Sequence, residues 1–186
     1  MRLLPLVAAL GLCFAAATAC AQTTLTPAPA PKLDPANTLI LELKSGKVTI
    51  ELLPALAPKH VERVKQLAKD GFYNGIKWHR VIPGFMAQSG DPTGTGTGGS
   101  KYGNLSAEFT PTPFRRGVVG AARSQSKDSA NSQFFIMFAE NPGLNGQYTA
   151  WGRVVEGMTN VDAIAKGEPP AAPDIIVKAY LASDAK

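Results

Sequence analysis

The chain has 186 residues, 19 Lys and Arg against 14 Asp and Glu, a formal charge of +5 and 45 % hydrophobic residues. Apart from Arg115-Arg116 its basic residues are scattered, which excludes the concentrated basic face that nucleic-acid binding requires. Both cysteines, Cys13 and Cys20, lie in the N-terminal segment, so the folded domain is expected to have neither a disulfide nor a thiol nucleophile.

In chain order, MRLLPLVAALGLCFAAATACAQ places one cation, Arg2, before an apolar run and then small residues. This is the layout of a secretory signal peptide over residues 1–21. Ala19-Cys20-Ala21 fits cleavage before Gln22. Ala17-Thr18-Ala19-Cys20 also resembles a lipobox, which would leave Cys20 as a lipid-anchored first residue. The lipobox pattern prefers Leu where Ala17 stands, so the soluble product is favoured. The run from Leu3 to Ala17 is shorter than the roughly 20 apolar residues of a membrane span, and no transmembrane span is expected. Residues 22–37, rich in Pro, Thr and Ala, read as an extended linker, and residues 38–186 as one domain with a real core.

Within the domain, Thr38 to Lys44 and Lys47 to Leu53 read as two strands around a Ser45-Gly46 turn. Pro58 opens a helix with Val61, Val64, Leu67 and Ala68 at helical spacing, closed by Gly71. Short apolar runs follow at Trp78 to Ile82, Gly84 to Gln88, Gly117 to Ala122, Ser132 to Phe138 and Ala150 to Val155. A second short helix is expected near Met158 to Ala165, and a last strand from Asp174 to Ala182. Many short strands with only two helices predict a β-sandwich or closed barrel.

Most enzyme devices find no support. His60 and His79 have no Cys or carboxylate at ligand spacing, and a structural histidine is the commoner case than a general base at His79. Gly94 to Gly99 lacks the Lys-Ser/Thr and the following helix of a phosphate loop; an irregular loop in which glycine permits close approach fits better. No G-x-S-x-G elbow is present. What remains are non-titrating polar groups among large apolar ones. In WHRVIPGFMAQSGD, alternation puts Trp78, Arg80 and Ile82 on one face; past Pro83-Gly84, Phe85, Ala87 and Ser89 oppose Met86 and Gln88. In NSQFFIMF, Gln133 and Phe135 share a face opposite Phe134 and Ile136. Arg and two Gln beside aromatic rings suggest a groove for something amide-like and apolar.

The segments APKHVERVKQLAKDGFY, FYNGIKWHRVIPGFMAQSGDPTGTGTGG, NSQFFIMF and LNGQYTAWGRVVEGM resemble, in order and spacing, those of the cyclophilin family of peptidyl-prolyl cis-trans isomerases, from about Leu39 to Leu181. The resemblance implies a mainly β fold, a closed eight-stranded antiparallel β-barrel capped by two α-helices. It implies catalysis by Arg80 without cofactor or metal. Proline-pocket residues match Phe85, Met86, Phe135 and Leu144. Gln88 matches the glutamine that holds the substrate backbone, and Gln133 a second groove glutamine. Gly96 and its neighbours would form a wall, and the stretch RSQSKDSAN an edge near Arg123, where family members often hold the peptide by main-chain groups. Two positions depart from the family: Gly143 stands where many members carry Trp or Phe, and Tyr148 where many carry a pocket histidine. The expected partners are proline-containing segments of unfolded or folding proteins, met by a monomer exported to the periplasm; the rival reading is a peptide-binding chaperone module with little turnover.

Overall fold

The computed structural model describes residues 32–185. The expected signal peptide, both cleavage sites, Cys20 and most of the linker lie outside the described residues. The described end of the linker is not extended throughout: Pro35–Asn37 form a 3-10 turn capped by Asp34, whose Oδ1 accepts from Ala36 N at 3.0 Å. Among the described residues no helix is long and apolar enough to cross a membrane.

Eight strands make one antiparallel sheet: β1 (Thr38–Leu43), β2 (Gly46–Leu52), β3 (Arg80–Ile82), β4 (Met86–Ser89), β5 (Val118–Ala121), β6 (Phe134–Met137), β7 (Ala150–Glu156) and β8 (Ile176–Leu181). Their order is β3-β4-β6-β5-β7-β2-β1-β8. The sheet curls, and its two ends meet without a full ladder. Lys77, just before β3, bridges Ile175, just before β8, and Trp78 N donates to Asp174 O at 2.9 Å. The expected closed barrel is therefore joined at one seam by isolated bridges.

Hydrophobic alternation explains which residues fill it. Leu39, Leu41, Leu43, Val48, Ile50 and Leu52 from the first hairpin meet Val61, Val64 and Leu67 of α1 (Pro58–Lys69) in the main core. Trp78, Tyr73 and Trp151 stand edge-on around Phe134 with ring centroids 5.5–5.8 Å apart, an arrangement aromatic quadrupoles favour. Among the described residues these bulky side chains fill the space between the sheet and α1. The second helix, α2, is shorter than its sequence suggested, Met158–Asp162, because Ala165 N turns away to Asp174 Oδ2 at 2.8 Å.

The N-terminus of α1 has a remote cap. Ala57 offers no side-chain acceptor, yet the first turn of a helix exposes unpaired N–H groups. Glu108, some fifty residues on, supplies both oxygens: Oε1 accepts from Lys59 N at 3.1 Å and Oε2 from His60 N at 3.0 Å.

Candidate active site

The sheet order turns distant residues into one row. Arg80 pairs with Gln88 across β3–β4, Gln88 with Phe135 across β4–β6, and Phe135 with Gly120 across β5–β6. Side chains directly opposite in an antiparallel pair share a face, so cation, amide and ring stand side by side on the face away from the main core. There a second cluster of Met86, Phe114, Phe135, Met137 and Ala150 carries Phe85, Leu144 and Tyr148 at its edge.

This face holds a slot of about 130 Å³ lined by Arg80, Phe85, Met86, Gln88, Ala122, Arg123, Phe135, Leu144 and Tyr148. Two features depart from simple alternation. Trp78 falls in the main core with Val81, not on the face of Arg80 and Ile82, because it precedes β3 and follows the seam. Phe85 and Met86 are neighbours yet both line the slot: Gly84 takes φ +71 in the turn, a conformation open to glycine, and re-aims Phe85. Leu144 ends the 3-10 turn Pro142–Leu144, and Gly143 is held in that turn by Asn141 Oδ1, which accepts from Gly143 N at 3.0 Å. Tyr148 meets Phe135 edge-on at 5.7 Å.

Gly96 and Gln133 lie one step further along the groove. A neighbouring hollow of about 540 Å³ is bounded by Gly96 to Ser100, Asn131 and Gln133, and shares Gln88, Ala122 and Arg123 with the slot. The two glutamines link the regions. Gln88 Nε2 donates to Gln133 Oε1 at 2.9 Å, and Gln133 Nε2 donates to Gly96 O at 3.0 Å and Gly98 O at 2.8 Å. Arg123 forms the ridge between the hollows. Its guanidinium stacks 4.6 Å above the Tyr148 ring and donates to the carbonyls of Gln147, Ser124 and Gln125, so it contributes shape and leaves little donor capacity for a peptide.

Two contributors escaped the sequence. Asp91, only 1 % exposed, is the hub of the glycine-rich loop. Its Oδ1 accepts from Thr93 N and Thr93 Oγ1, and its Oδ2 from Thr95 N, Gly96 N and Gly98 N, at 2.6–3.1 Å. Burial alone would raise its pKa, but the hydrogen bonds from Thr93, Gly98 and Gly96 outweigh it and hold the carboxyl far below the usual carboxylate range. The Asp-Pro-Thr-Gly start of the loop was a usable signal, since Asp commonly accepts from backbone N–H groups two residues on. Glu168 is the other: its Oε1 accepts from Arg80 Nε at 2.7 Å. Eighty-eight residues separate the pair, and no local pattern announces it.

A curled antiparallel sheet carrying a small open slot, with aromatic and aliphatic side chains beside an arginine and a glutamine, is the arrangement of a ligand-binding groove. Comparison with known proteins gives the family. The profile described as "Cyclophilin type peptidyl-prolyl cis-trans isomerase/CLD" matches residues 38–181. A probable peptidyl-prolyl cis-trans isomerase of Brucella suis is 54 % identical, covering 82 % of this chain and 86 % of the relative. Peptidyl-prolyl cis-trans isomerase B of Bacillus subtilis is 41 % identical, covering 66 % of this chain and 86 % of the relative. A cyclophilin crystal structure from Hirschia baltica superposes with TM-score 0.77 at 31 % identity, covering 83 % of this chain and 77 % of that one. One from Cryptosporidium parvum, determined in the presence of the dipeptide Ala-Pro, gives 0.72 at 31 % identity, covering 77 % and 98 %. The chain belongs to the cyclophilin-type peptidyl-prolyl cis-trans isomerases, and it is an enzyme of that activity.

Proposed function

We propose that this isomerase acts on X-Pro bonds of exported proteins in the periplasm, assisting their folding, with Arg80 as the catalytic group. An X-Pro bond turns over a barrier of about 18–20 kcal/mol, because the amide C–N bond is partly double. Unassisted exchange takes tens to hundreds of seconds and can limit folding. No bond is broken, so the enzyme has only to favour the twisted amide over both planar forms.

In the twisted state the proline nitrogen loses conjugation and regains a lone pair. A guanidinium is always charged and presents donors in a fixed fork; aimed at that nitrogen, it makes a hydrogen bond that the planar amide scarcely accepts. Each 1.36 kcal/mol or so of such selective stabilisation gives tenfold in rate, so about 7 kcal/mol gives a hundred-thousandfold. Phe85, Met86, Phe135 and Leu144 enclose the ring while Gln88 holds the flanking chain, which confines rotation to one bond. The Cryptosporidium parvum relative was determined in the presence of the dipeptide Ala-Pro, which supports a proline-containing peptide as ligand.

The observation that carries the reading is the single row Arg80–Gln88–Phe135, with the arginine lining the same slot as Phe85, Met86, Phe135 and Leu144. A protease-coupled assay on an Ala-Pro peptide tests it. Arg80→Lys keeps the charge and loses the fork, and kcat/KM is expected to fall at least tenfold; full activity in that variant overturns the role of Arg80. The signal layout of residues 1–21 supports export. Mass spectrometry of the mature N-terminus tests it, separating a free Gln22 from an acylated Cys20.

A further inference from the structure

Arg80 lines the slot with one acidic partner, Glu168, at its Nε. Glu168 sits in the segment between α2 and β8, and that segment is fastened to the strand carrying Arg80. Gly167 N donates to Val81 O and Val81 N donates to Gly167 O, both at 2.8 Å. The bridge therefore joins the residue after Arg80 to the residue before Glu168, and it delivers the carboxylate to the guanidinium. The segment has little freedom elsewhere. Lys166 Nζ donates to the carbonyls of Asp162 and Ile164 at 2.6 and 2.7 Å, and a Cβ on Gly167 would fall 2.6 Å from Pro170 Cα.

The pair is a poor device for stability. Its side chains are 42 % and 51 % exposed, and ion pairs in such settings contribute little to folding. What it does fix is orientation. Glu168 takes the Nε hydrogen at 2.7 Å and nothing else of the fork. Among the described residues, no side-chain or backbone acceptor engages the Nη1 or Nη2 groups of Arg80, although the equivalent groups of Arg116 and Arg123 are engaged. The terminal donors are not engaged by any described residue, on a guanidinium that lines the slot and is held at Nε by Glu168.

We propose that Glu168 is a positioning residue for Arg80: it grips Nε from a loop clamped to β3 and so keeps the two terminal donors over the slot. This rests on the reading of Arg80 as the group that stabilises the twisted bond. A long side chain left unheld has to be ordered anew in each passage over the barrier. The penalty falls on kcat, because the donors act in the twisted state, while the rings that bind proline are untouched.

The test is a set of variants in the protease-coupled assay with an Ala-Pro peptide. Glu168→Ala is expected to lose about three- to tenfold in kcat with KM unchanged, the scale of re-ordering one long side chain. Glu168→Gln keeps an acceptor for Nε and is expected to recover most of the loss. In an Arg80→Ala background, Glu168→Ala is expected to have no further effect, and urea midpoints of the single Glu168 variants to match the parent. Parental kcat in Glu168→Ala, equal losses in the Ala and Gln variants, or an undiminished loss on top of Arg80→Ala each overturns the positioning role. Full activity of Arg80→Ala alone overturns instead the assignment of Arg80, so the two failures are distinguishable.

Discussion

Gly120 lies directly opposite Phe135 in the β5–β6 pair, and the space its missing side chain leaves is filled by the Phe135 ring. A Cβ on Gly120 would stand 2.6 Å from Phe135 Cζ and 2.7 Å from Phe114 Cε1. Both distances are far inside ordinary contact between carbon atoms, near 3.5–4.0 Å. The floor of the slot is thus set by a residue that does not line it.

Gly120→Ala is accordingly expected to push the Phe135 ring outward and shrink the slot. Overpacking of this kind costs about 1–3 kcal/mol, part of it stability and part of it proline binding. KM for an Ala-Pro peptide should rise several-fold while kcat changes less, since Arg80 and Glu168 are untouched. Steady-state kinetics beside a urea melt check this. An unchanged KM in a folded variant would show that the ring is free to move without narrowing the slot.

Asp91 answers for the shape of the glycine-rich wall. Asp91→Ala removes the shared acceptor of the N–H groups of Thr93, Thr95, Gly96 and Gly98. These residues are exposed or half-buried, so water replaces part of the loss and each bond is worth about 0.5–1.5 kcal/mol. Gln133, which reads the wall through the carbonyls of Gly96 and Gly98, loses its partners as well. The expected outcome is a destabilised protein, several kcal/mol by that count, with faster amide hydrogen exchange across residues 93–98 and slower turnover. Parental exchange rates in this loop would refute the role. Because the folded carboxyl sits below its ordinary pKa, its stabilisation is present above about pH 4 and fades as pH falls further toward the folded value.

Glu108→Ala removes the acceptors for the first turn of α1. Loss of an N-terminal cap costs about 0.5–2 kcal/mol, and here a buried partner, His60 Nδ1 at 2.6 Å, is stranded too. Thermal or urea unfolding should report a loss at or above the upper end of that range. Glu108→Gln, which retains one acceptor oxygen, should lose less. Activity per folded molecule is expected to stay near parental, because α1 lies on the far side of the sheet from the slot residues.

How much of this was legible in the letters follows from how local each interaction is. Strand and helix positions could be read because Leu39, Leu41 and Val48 or Val61, Val64 and Leu67 repeat at the period of their element. The boundaries moved wherever backbone groups were claimed by a distant partner. Trp78 lost its alternation with Arg80 to the seam at Asp174, and α2 ended early at the same residue. The resemblance brought the slot residues together in advance, since they sit on motifs of fixed spacing. Gly120, Glu108 and Glu168 stayed invisible because each acts across the fold on a residue far off in sequence, and nothing in their immediate neighbours depends on them. Asp91 lay between: its turn chemistry was readable, and its hold on Gly96 and Gly98 was not.

The two histidines predict how the fold responds to acid. His60 donates Nδ1–H to Glu108, but its Nε2 is buried without a partner; His79, 6 % exposed, has no partner at either ring nitrogen. Burial lowers both pKa values, only partly opposed by Glu108 beside His60 and by Asp91, the Lys77 backbone and Gln133 near His79, while Arg63 and Arg80 add to the lowering. A proton added at His60 Nε2 would place an N–H where the protein offers no acceptor, and a charge on either buried ring loses hydration. In the unfolded chain both rings take up a proton below about pH 6.5. The unfolded state therefore binds more protons than the folded one between 6.5 and the lowered folded values, and stability falls as pH is reduced through that window. Above about pH 7 the contribution is complete. Urea midpoints measured at pH 7.5 and 5.0 are expected to differ, with the lower value at pH 5.0, a range in which Asp91 and Glu108 stay ionised in the folded protein because both carboxyls are held low. Replacing one of these rings with a non-titrating side chain, His79→Gln, should flatten the dependence even if it lowers stability throughout. Equal midpoints at the two pH values in the parent protein would show that the buried rings accept protons as readily as free ones, contrary to their lack of partners.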